Sequence, residues 1–349
     1  MSFEAMSLKT SDISHMQRAL ELAEGVCYFT SPRPWVGCAL LASNGGVFEG
    51  ATEGKEGPHA EQSALAKAGE QARGATLYTT LEPCVHHGKT PPCTEAIISA
   101  GVARVVVAFV DPDEKVKGKG VAALQEAGIE VATGICQNEA ADLLAPYLTH
   151  RSLGRPHVTL KLATTLDGRT AMSDGSSQWI TGEAARGDAH LLRAQSNAVI
   201  VGAGTARRDN PSLTVRDANL PVNLSDVQPR RFVLGSIPAG PNLLKSDPVA
   251  GITAAEELHG EIPDILAELA RRGILSVLLE GGSSVAAAFH EAKLIDRYVF
   301  YVAPSLAGGS EGSPVLATET TSDIKDLWRG QLKSVKKIGD DLRIDIKPL

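Results

Sequence analysis

Long apolar runs are missing from this 349-residue chain, which argues against a membrane-spanning helix. The first residues, Met1-Ser2-Phe3-Glu4-Ala5-Met6-Ser7-Leu8-Lys9, also lack the apolar core of a signal peptide. A basic excess is missing too. The net charge is −7, and broad binding to nucleic acid or to a membrane surface needs a clustered basic field. Cysteine is sparse: Cys27, Cys38, Cys84, Cys93 and Cys136 make an odd number with no disulfide framework, which fits a reducing compartment. The expected location is therefore the cytoplasm. Cys27, Cys38 and Cys136 read as small apolar filler.

What is present is enough length for two domains of ordinary size and, early in the chain, a dense group of metal-ligating residue types. Pro58-His59-Ala60-Glu61, Pro83-Cys84 and Cys93 supply one imidazole, two thiols and a carboxylate. An imidazole with two thiolates suits a zinc ion that keeps its fourth position for water, with Glu61 left over as the free base. A structural zinc would need a fourth protein ligand, for which His86 and His87 are candidates. The bland alternative is a core histidine and two unligated cysteines. The pattern H-x-E followed by P-C-x-x-C marks zinc deaminases that attack an amino-bearing ring carbon. Here eight residues, 85 to 92, separate the two cysteines instead of two.

Periodicity places these groups. Residues 59–66 open a helix after Pro58, residues 76–81 form a buried strand running into Glu82-Pro83, and Cys93 starts another helix after Pro91-Pro92. Met16, Ala19, Leu20, Ala23 and Val26 predict an amphipathic first helix, and Ser43-Asn44-Gly45-Gly46 a turn between two strands. With a strand over 104–110 and a helix over 120–127, the order predicts a three-layer α/β/α sandwich with a mixed sheet. The boundary is expected where polar and turn-forming residues gather over 149–156, giving domains of 1–150 and 155–349. Beyond it, strands over 157–163, 198–202, 275–279 and 297–303 alternate with helices over 182–195 and 285–292, which predicts a largely parallel sheet. Glu280-Gly281-Gly282-Ser283-Ser284 is a strand-to-helix turn where backbone amides could meet a phosphate. No G-x-G-x-x-G follows the first strand of either half, so an ordinary Rossmann domain is not supported.

Thr30-Ser31-Pro32, Val36-Gly37, Pro58-His59-Ala60-Glu61 and residues 82–93 with their long cysteine-to-cysteine insert resemble the deaminase half of the bifunctional riboflavin-biosynthesis deaminase-reductase family. Residues 161–169, Ser177-Gln178-Trp179-Ile180-Thr181, Val201-Gly202-Ala203-Gly204-Thr205 and residues 209–216 resemble its reductase half. The likeness spans nearly the whole chain. It implies a cytidine-deaminase-like first domain and a dihydrofolate-reductase-like second, zinc and NADPH as cofactors, phosphoribosylaminopyrimidine substrates and a homo-oligomer. Arg33, Thr52 and Asp113 depart from the family's pattern.

The same resemblance implies individual roles. His59, Cys84 and Cys93 would bind zinc and Glu61 would shuttle the proton. Ala163, Trp179, Thr205, Asp209, Ser236, Gly282, Ser283, Ser284, Val285, Ala286, Ala287 and Ala288 would line the NADPH site. Lys89, Ser177, Arg193, Leu213, Arg216 and Glu280 would hold substrate, with two guanidiniums suited to a phosphate and Glu280 to ribosyl hydroxyls. Taken singly, each has a plainer reading: a solvated arginine, a core tryptophan, a turn-forming aspartate. Two other functions compete. A nucleobase or tRNA deaminase would show a basic strand-binding surface and a short cysteine spacing, and a degenerate binding protein would lack the metal.

Overall fold

Strands that are apolar on both faces bury two core clusters in each half of the chain, which divides at Gly154 into units Met1–Gly154 and Arg155–Leu349. The computed structural model describes residues 10–28, 30–87, 91–216, 223–238, 241–319 and 321–349. In the first unit the order is α1 (Thr10–Gly25), β1 (Gly37–Leu41), β2 (Val47–Ala51), α2 (Ala60–Ala68), β3 (Thr76–Leu81), α3 (Cys93–Ser99), β4 (Arg104–Phe109), α4 (Lys119–Glu126), β5 (Glu130–Thr133), α5 (Gln137–Leu143) and α6 (Ala145–Leu153). Its five strands lie in the order β2-β1-β3-β4-β5, antiparallel around β1 and parallel from β3 to β5.

Successive residues of a strand face opposite sides, and here both sides are apolar. Ala39, Tyr78 and Val106 pack with Met16 and Ala19 of α1 and Ala140 of α5, while Leu40, Leu77, Val105 and Val107 pack with Leu65, Ile97 and Leu124 of α2, α3 and α4. The result is the expected α/β/α sandwich. A Cβ on Gly50 would lie 2.1 Å from the Ala60 carbonyl oxygen, so β2 meets the start of α2 at a separation only glycine permits. Residues 149–153, expected to interrupt the regular structure, instead complete α6, which ends at Gly154 in the left-handed conformation (φ 65°). Their polarity reflects the exposure of that last turn, where residues 151–153 face solvent.

The second unit contains β6 (His157–Thr165), β7 (Arg169–Ala171), α7 (Glu183–Ala194), β8 (Ala198–Gly202), α8 (Ala203–Asp209), β9 (Arg230–Leu234), α9 (Pro241–Leu244), β10 (Glu256–Leu258), α10 (Ile262–Arg271), β11 (Ser276–Leu279), α11 (Ser283–Glu291), β12 (Arg297–Ala303), β13 (Ser313–Pro314), β14 (Gly330–Ile338) and β15 (Asp341–Pro348). Eight of the strands form one sheet in the order β10-β9-β8-β11-β6-β12-β15-β14. It is parallel from β10 to β12, as expected, and closes with an antiparallel hairpin of β14 and β15. The hairpin escapes the apolar pattern because edge strand β14 exposes Lys333, Lys336 and Lys337, charges that discourage pairing with another edge. Ser283 and Ser284, expected in a turn, already belong to α11, whose N-cap is Gly282. Because β8, β11 and β6 are neighbours, their carboxyl ends meet where open α/β sheets bind ligands. Among the described residues no helix is long and apolar enough to cross a membrane.

Candidate functional sites

His59 is the extended N-cap of α2 (φ −74°, ψ 161°), and Gln62 Oε1 accepts its backbone N–H at 3.3 Å. Gln62 Nε2 donates to the Pro91 carbonyl at 2.8 Å, so one side chain ties the start of α2 to the segment leading into Cys93. Cys93 is buried as the first residue of α3, and its N–H donates to Cys84 Sγ at 3.4 Å. Thr94 holds Cys84 from the same side, with its N–H and its hydroxyl both donating to the Cys84 carbonyl. These contacts place His59 Nδ1 3.1 Å from Cys93 Sγ and 3.6 Å from Cys84 Sγ. The ligand atoms of all three residues lie within 4.8 Å of one another.

Glu61 is buried and stands outside that triad, with Oε2 3.6 Å from Cys93 Sγ. The electrostatics conflict in a telling way. Hydrogen bonding from Cys93, helped by His59, draws the Cys84 thiol down to about 4, whereas contact with Cys84 and burial push Cys93 up. Burial pushes Glu61 up as well. Two sulfurs and a carboxyl cannot all ionise here unaided, and a dication among them removes the conflict. One imidazole and two thiolates are a donor set that zinc takes, so the residues fit the metal. His86 and His87 do not complete the set: both are exposed, and His87 faces Glu95 at 3.8 Å. Among the described residues the only metal-competent group is His59, Cys84 and Cys93, which leaves the closed structural site without a fourth ligand. Lys89 lies outside the described residues.

The three departures from the family pattern each have work within the fold. Arg33 Nη1 donates to the Gly57 carbonyl at 2.9 Å, bracing the segment that leads into His59. Thr52 Oγ1 accepts the Val36 N–H at 3.0 Å and donates to the Pro34 carbonyl at 3.1 Å. Asp113 accepts the Lys115 N–H and faces Arg151 Nε at 3.4 Å.

In the second unit, Glu280 follows β11 and meets Arg193 of α7 in a bidentate pair, with Nε and Nη2 at 2.6 and 2.8 Å from the carboxylate oxygens. Burial alone would raise the Glu280 carboxyl, but Arg193, Lys161 and His190 outweigh it and hold it at about 2. Of the two guanidiniums expected at a phosphate, Arg193 spends its fork on Glu280 and turns Nη1 to the Thr214 carbonyl. Arg216 remains exposed, its backbone N–H donating to His190 Nδ1 at 3.2 Å. Leu213 is corrected as a side-chain contact. It is 2 % exposed and packs in the core with Leu192 and Val201, leaving only its backbone, at φ 53°, to face a ligand. Lys161 of β6 was not singled out from sequence; it sits beside Glu280 with Nζ 5.6 Å from the Tyr301 ring centre. A lone lysine in a strand carries no spacing signal, and only the pairing of β6 with β11 brings it to Glu280.

Thr205 Oγ1 accepts the Gly282 N–H at 3.1 Å, which joins the starts of α8 and α11. Ser284 and Ala288 are exposed and Ser283 and Val285 half-buried, whereas Ala286 and Ala287 face the core and are corrected as cofactor-lining side chains. Every third or fourth position of a helix turns inward, so an unbroken run cannot line one surface. A Cβ on Gly281 would come within 2.7 Å of Val285 Cβ, and the glycine thereby lets the chain fold tightly into α11. Trp179 is 69 % exposed, with the Arg186 guanidinium 4.7 Å from its ring centre, so it is not a core tryptophan. Ala163 and Ser177 are half-buried, Asp209 closes α8, and Ser236 is exposed after β9. Among the described residues, Trp179, Asp209 and Ser236 share no hydrogen bond with the Glu280 cluster.

Comparison with known proteins gives a consistent picture. A family model described as the cytidine and deoxycytidylate deaminase zinc-binding region matches residues 9–109, and one described as the RibD C-terminal domain matches residues 156–344. The riboflavin biosynthesis protein RibD of Haemophilus influenzae is 37% identical over 98% of this chain and 99% of its own length. RibD of Mycobacterium tuberculosis is 42% identical over 95% and 96%. Among solved structures, Acinetobacter baumannii RibD superposes with a TM-score of 0.87 at 39% identity, covering 97% of this chain and 99% of that one. The Thermotoga maritima diaminohydroxyphosphoribosylaminopyrimidine deaminase and 5-amino-6-(5-phosphoribosylamino)uracil reductase does so with a TM-score of 0.83 at 33% identity, with the same coverage. Both halves are matched in order and the relatives extend over nearly the whole length, so the chain belongs to the RibD family of riboflavin biosynthesis proteins.

Proposed function

We propose that the two halves of this chain catalyse consecutive steps of riboflavin biosynthesis. Residues 1–150 remove an amino group hydrolytically from 2,5-diamino-6-(5-phosphoribosylamino)pyrimidin-4(3H)-one, taking up water and releasing ammonia. Residues 155–349 then reduce the ribosyl chain of 5-amino-6-(5-phosphoribosylamino)uracil to the ribitylamino product. Zinc and NADPH are the cofactors. The observation that carries the first half is the triad of His59, Cys84 and Cys93 within 4.8 Å, with the buried Glu61 carboxylate beside it but outside it.

Zinc, when bound by those three residues, supplies a Lewis acid that makes water a nucleophile at neutral pH. Glu61 Oε2 takes the proton from water and delivers it to the departing amino nitrogen, and burial favours its holding that proton between the two events. In the second half NADPH, when bound, supplies a hydride for the sugar's C1. Thr205, Ser283, Ser284 and Val285 offer the amides and hydroxyls of two helix starts joined through Gly282 to that cofactor, with Ala163, Trp179, Asp209, Ser236 and Ala288 around it. Arg216 meets the substrate phosphate, and Lys89 and Ser177 complete the contacts of the two substrates. Arg193 orients Glu280 toward the ribosyl hydroxyls, with Lys161 as a further donor on the same side.

A net charge of −7 supports small molecules as partners, rather than nucleic acid or a membrane surface. Five unpaired cysteines fit the cytoplasm. Exposed Leu327, Trp328, Leu332 and Val335 give a homo-oligomer apolar surface to bury. The test is incubation with the diaminopyrimidine phosphate, with and without NADPH, following ammonia and NADPH oxidation together. Ammonia is expected in both conditions and oxidation only after it. Loss of either signal removes the corresponding half of the reading.

A further inference from the structure

Two residues before Cys84, at the end of β3, stands a buried carboxylate with no part in the chemistry above. Glu82 is 3 % exposed. Its Oε2 accepts the N–H groups of Asp111 at 3.1 Å and Gly118 at 2.9 Å, and its Oε1 those of Gly120 at 2.8 Å and Val121 at 3.0 Å. Its own N–H donates to the Phe109 carbonyl at 3.0 Å. One side chain thus gathers both ends of the segment from β4 to α4 and caps the start of α4, where the helix dipole favours a negative charge. The junction is tight: a Cβ on Gly120 would lie 2.2 Å from the Pro83 carbonyl oxygen, and Gly118 takes the left-handed conformation at φ 82°.

Cys84 is held from one side by Cys93 and Thr94 of α3. On the other side the chain entering it is Glu82-Pro83, and Glu82 is fastened to residues 111–121. We propose that Glu82 is a positioning residue for the metal centre, fixing the approach of Cys84 by clamping the end of β3 to the segment between β4 and α4. The inference rests on the reading of His59, Cys84 and Cys93 as zinc ligands. Its consequence is reciprocal: the metal that fixes Cys84 also steadies the amides of Gly118, Gly120 and Val121, although none of them belongs to the ligand set.

The test uses the full chain, as wild type and as Glu82→Gln, which keeps the shape but loses the charge. Zinc affinity is measured by competition with a chromophoric chelator, and hydrogen exchange of residues 111–121 is followed with and without zinc. Groups that orient metal ligands from behind change affinity by about ten- to a hundredfold, and a loss in that range is expected for Glu82→Gln. Excess zinc should restore its ammonia release, while NADPH oxidation on the deaminated substrate stays at the wild-type rate. Zinc should slow exchange at residues 118–121 in the wild type and have little effect on it in the variant. Equal zinc affinity in the two proteins overturns the inference, as does a variant that melts earlier but binds zinc as tightly. If Glu82→Gln does not fold, Glu82→Asp, with its carboxylate one methylene short, is decisive: it should bind zinc more weakly than the wild type, and equal affinity overturns the role. A wild type that holds no zinc sinks the ligand reading itself, and is told apart from the other outcomes by metal analysis before any variant is made.

Discussion

At the metal centre, ligand atoms from the start of α2, the end of β3 and the start of α3 converge within 4.8 Å, and the acid beside them is sealed from solvent. The second unit's groups spread from the buried pair of Arg193 and Glu280 out to Trp179 and Arg216 on the surface. The difference follows from what each must hold. A metal accepts ligands only within narrow distances, so its site is over-determined by backbone and side-chain bonds. A dinucleotide and a sugar phosphate are gripped over a wide area, where each contact contributes modestly. Losses should therefore be abrupt in the first unit and graded in the second.

The largest expected effect is at Glu61. Glu61→Gln removes the proton carrier while leaving the three ligands in place, and general acid–base groups contribute about 10²- to 10⁴-fold to rate. Ammonia release should fall by that factor with zinc content unchanged, and NADPH oxidation on the deaminated substrate should not move. A fall in both rates would show that the sites are not independent and would break the comparison. Loss of the zinc together with the activity would make Glu61 a ligand rather than a shuttle.

Next in size is the Arg193 and Glu280 pair. Replacing Arg193 by Met leaves a buried carboxylate without its partner, a change of about 3–5 kcal/mol against the folded second unit. The pair also makes an acid-sensitive contribution in the wild type. Glu280 is held at about 2 against an ordinary 4.5, and a depressed carboxyl stabilises the fold fully above its unfolded value. That stability, about 3 kcal/mol, is lost as pH falls from about 4.5 through about 2. Urea unfolding of wild type and Arg193→Met across this range should converge as the pH drops. Parallel curves would mean that the pair contributes nothing to acid stability.

Much of the metal centre is legible in the sequence because its parts are local. Pro58 and Pro92 announce helix starts, residues 76–81 read as a buried strand, and 35 positions from His59 to Cys93 contain every ligand. The same periodicities give the layered sandwich of the first unit and the largely parallel sheet of the second, whereas the cytidine-deaminase-like and dihydrofolate-reductase-like folds are what the family resemblance implies. What stays hidden depends on contacts across the chain. Arg193 and Glu280 are 87 residues apart, and nothing in either neighbourhood says that one guanidinium is already committed. Glu82 looks like part of a motif until four amides from residues 111–121 are seen to converge on it. Leu213, Ala286 and Ala287 lie in stretches whose motif is clear but whose inward side is decided by packing, and all three turn to the core. Polarity over 149–156 marks the stretch where the two units divide, between Gly154 and Arg155, but not that residues 149–153 are helical, because an exposed last helical turn and a linker share a composition.

The smallest expected effect, at Trp179, tests the graded character of the second site most directly. The ring is 69 % exposed and touches the Arg186 guanidinium, a contact of about 0.5–1 kcal/mol at an exposed position. Because so little of it is buried, Trp179→Ala removes almost no core packing, and the unfolding midpoint should shift by little. If the ring packs against NADPH, the loss of that face should raise the cofactor's KM by about two- to tenfold, the factor that about 0.5–1.4 kcal/mol corresponds to, with kcat nearly unchanged. Ammonia release should be identical to the wild type. An unchanged KM would place Trp179 outside the cofactor surface. A collapse of kcat instead would mean that this exposed residue orients the reacting atoms, and the second site would then be as sharply determined as the first.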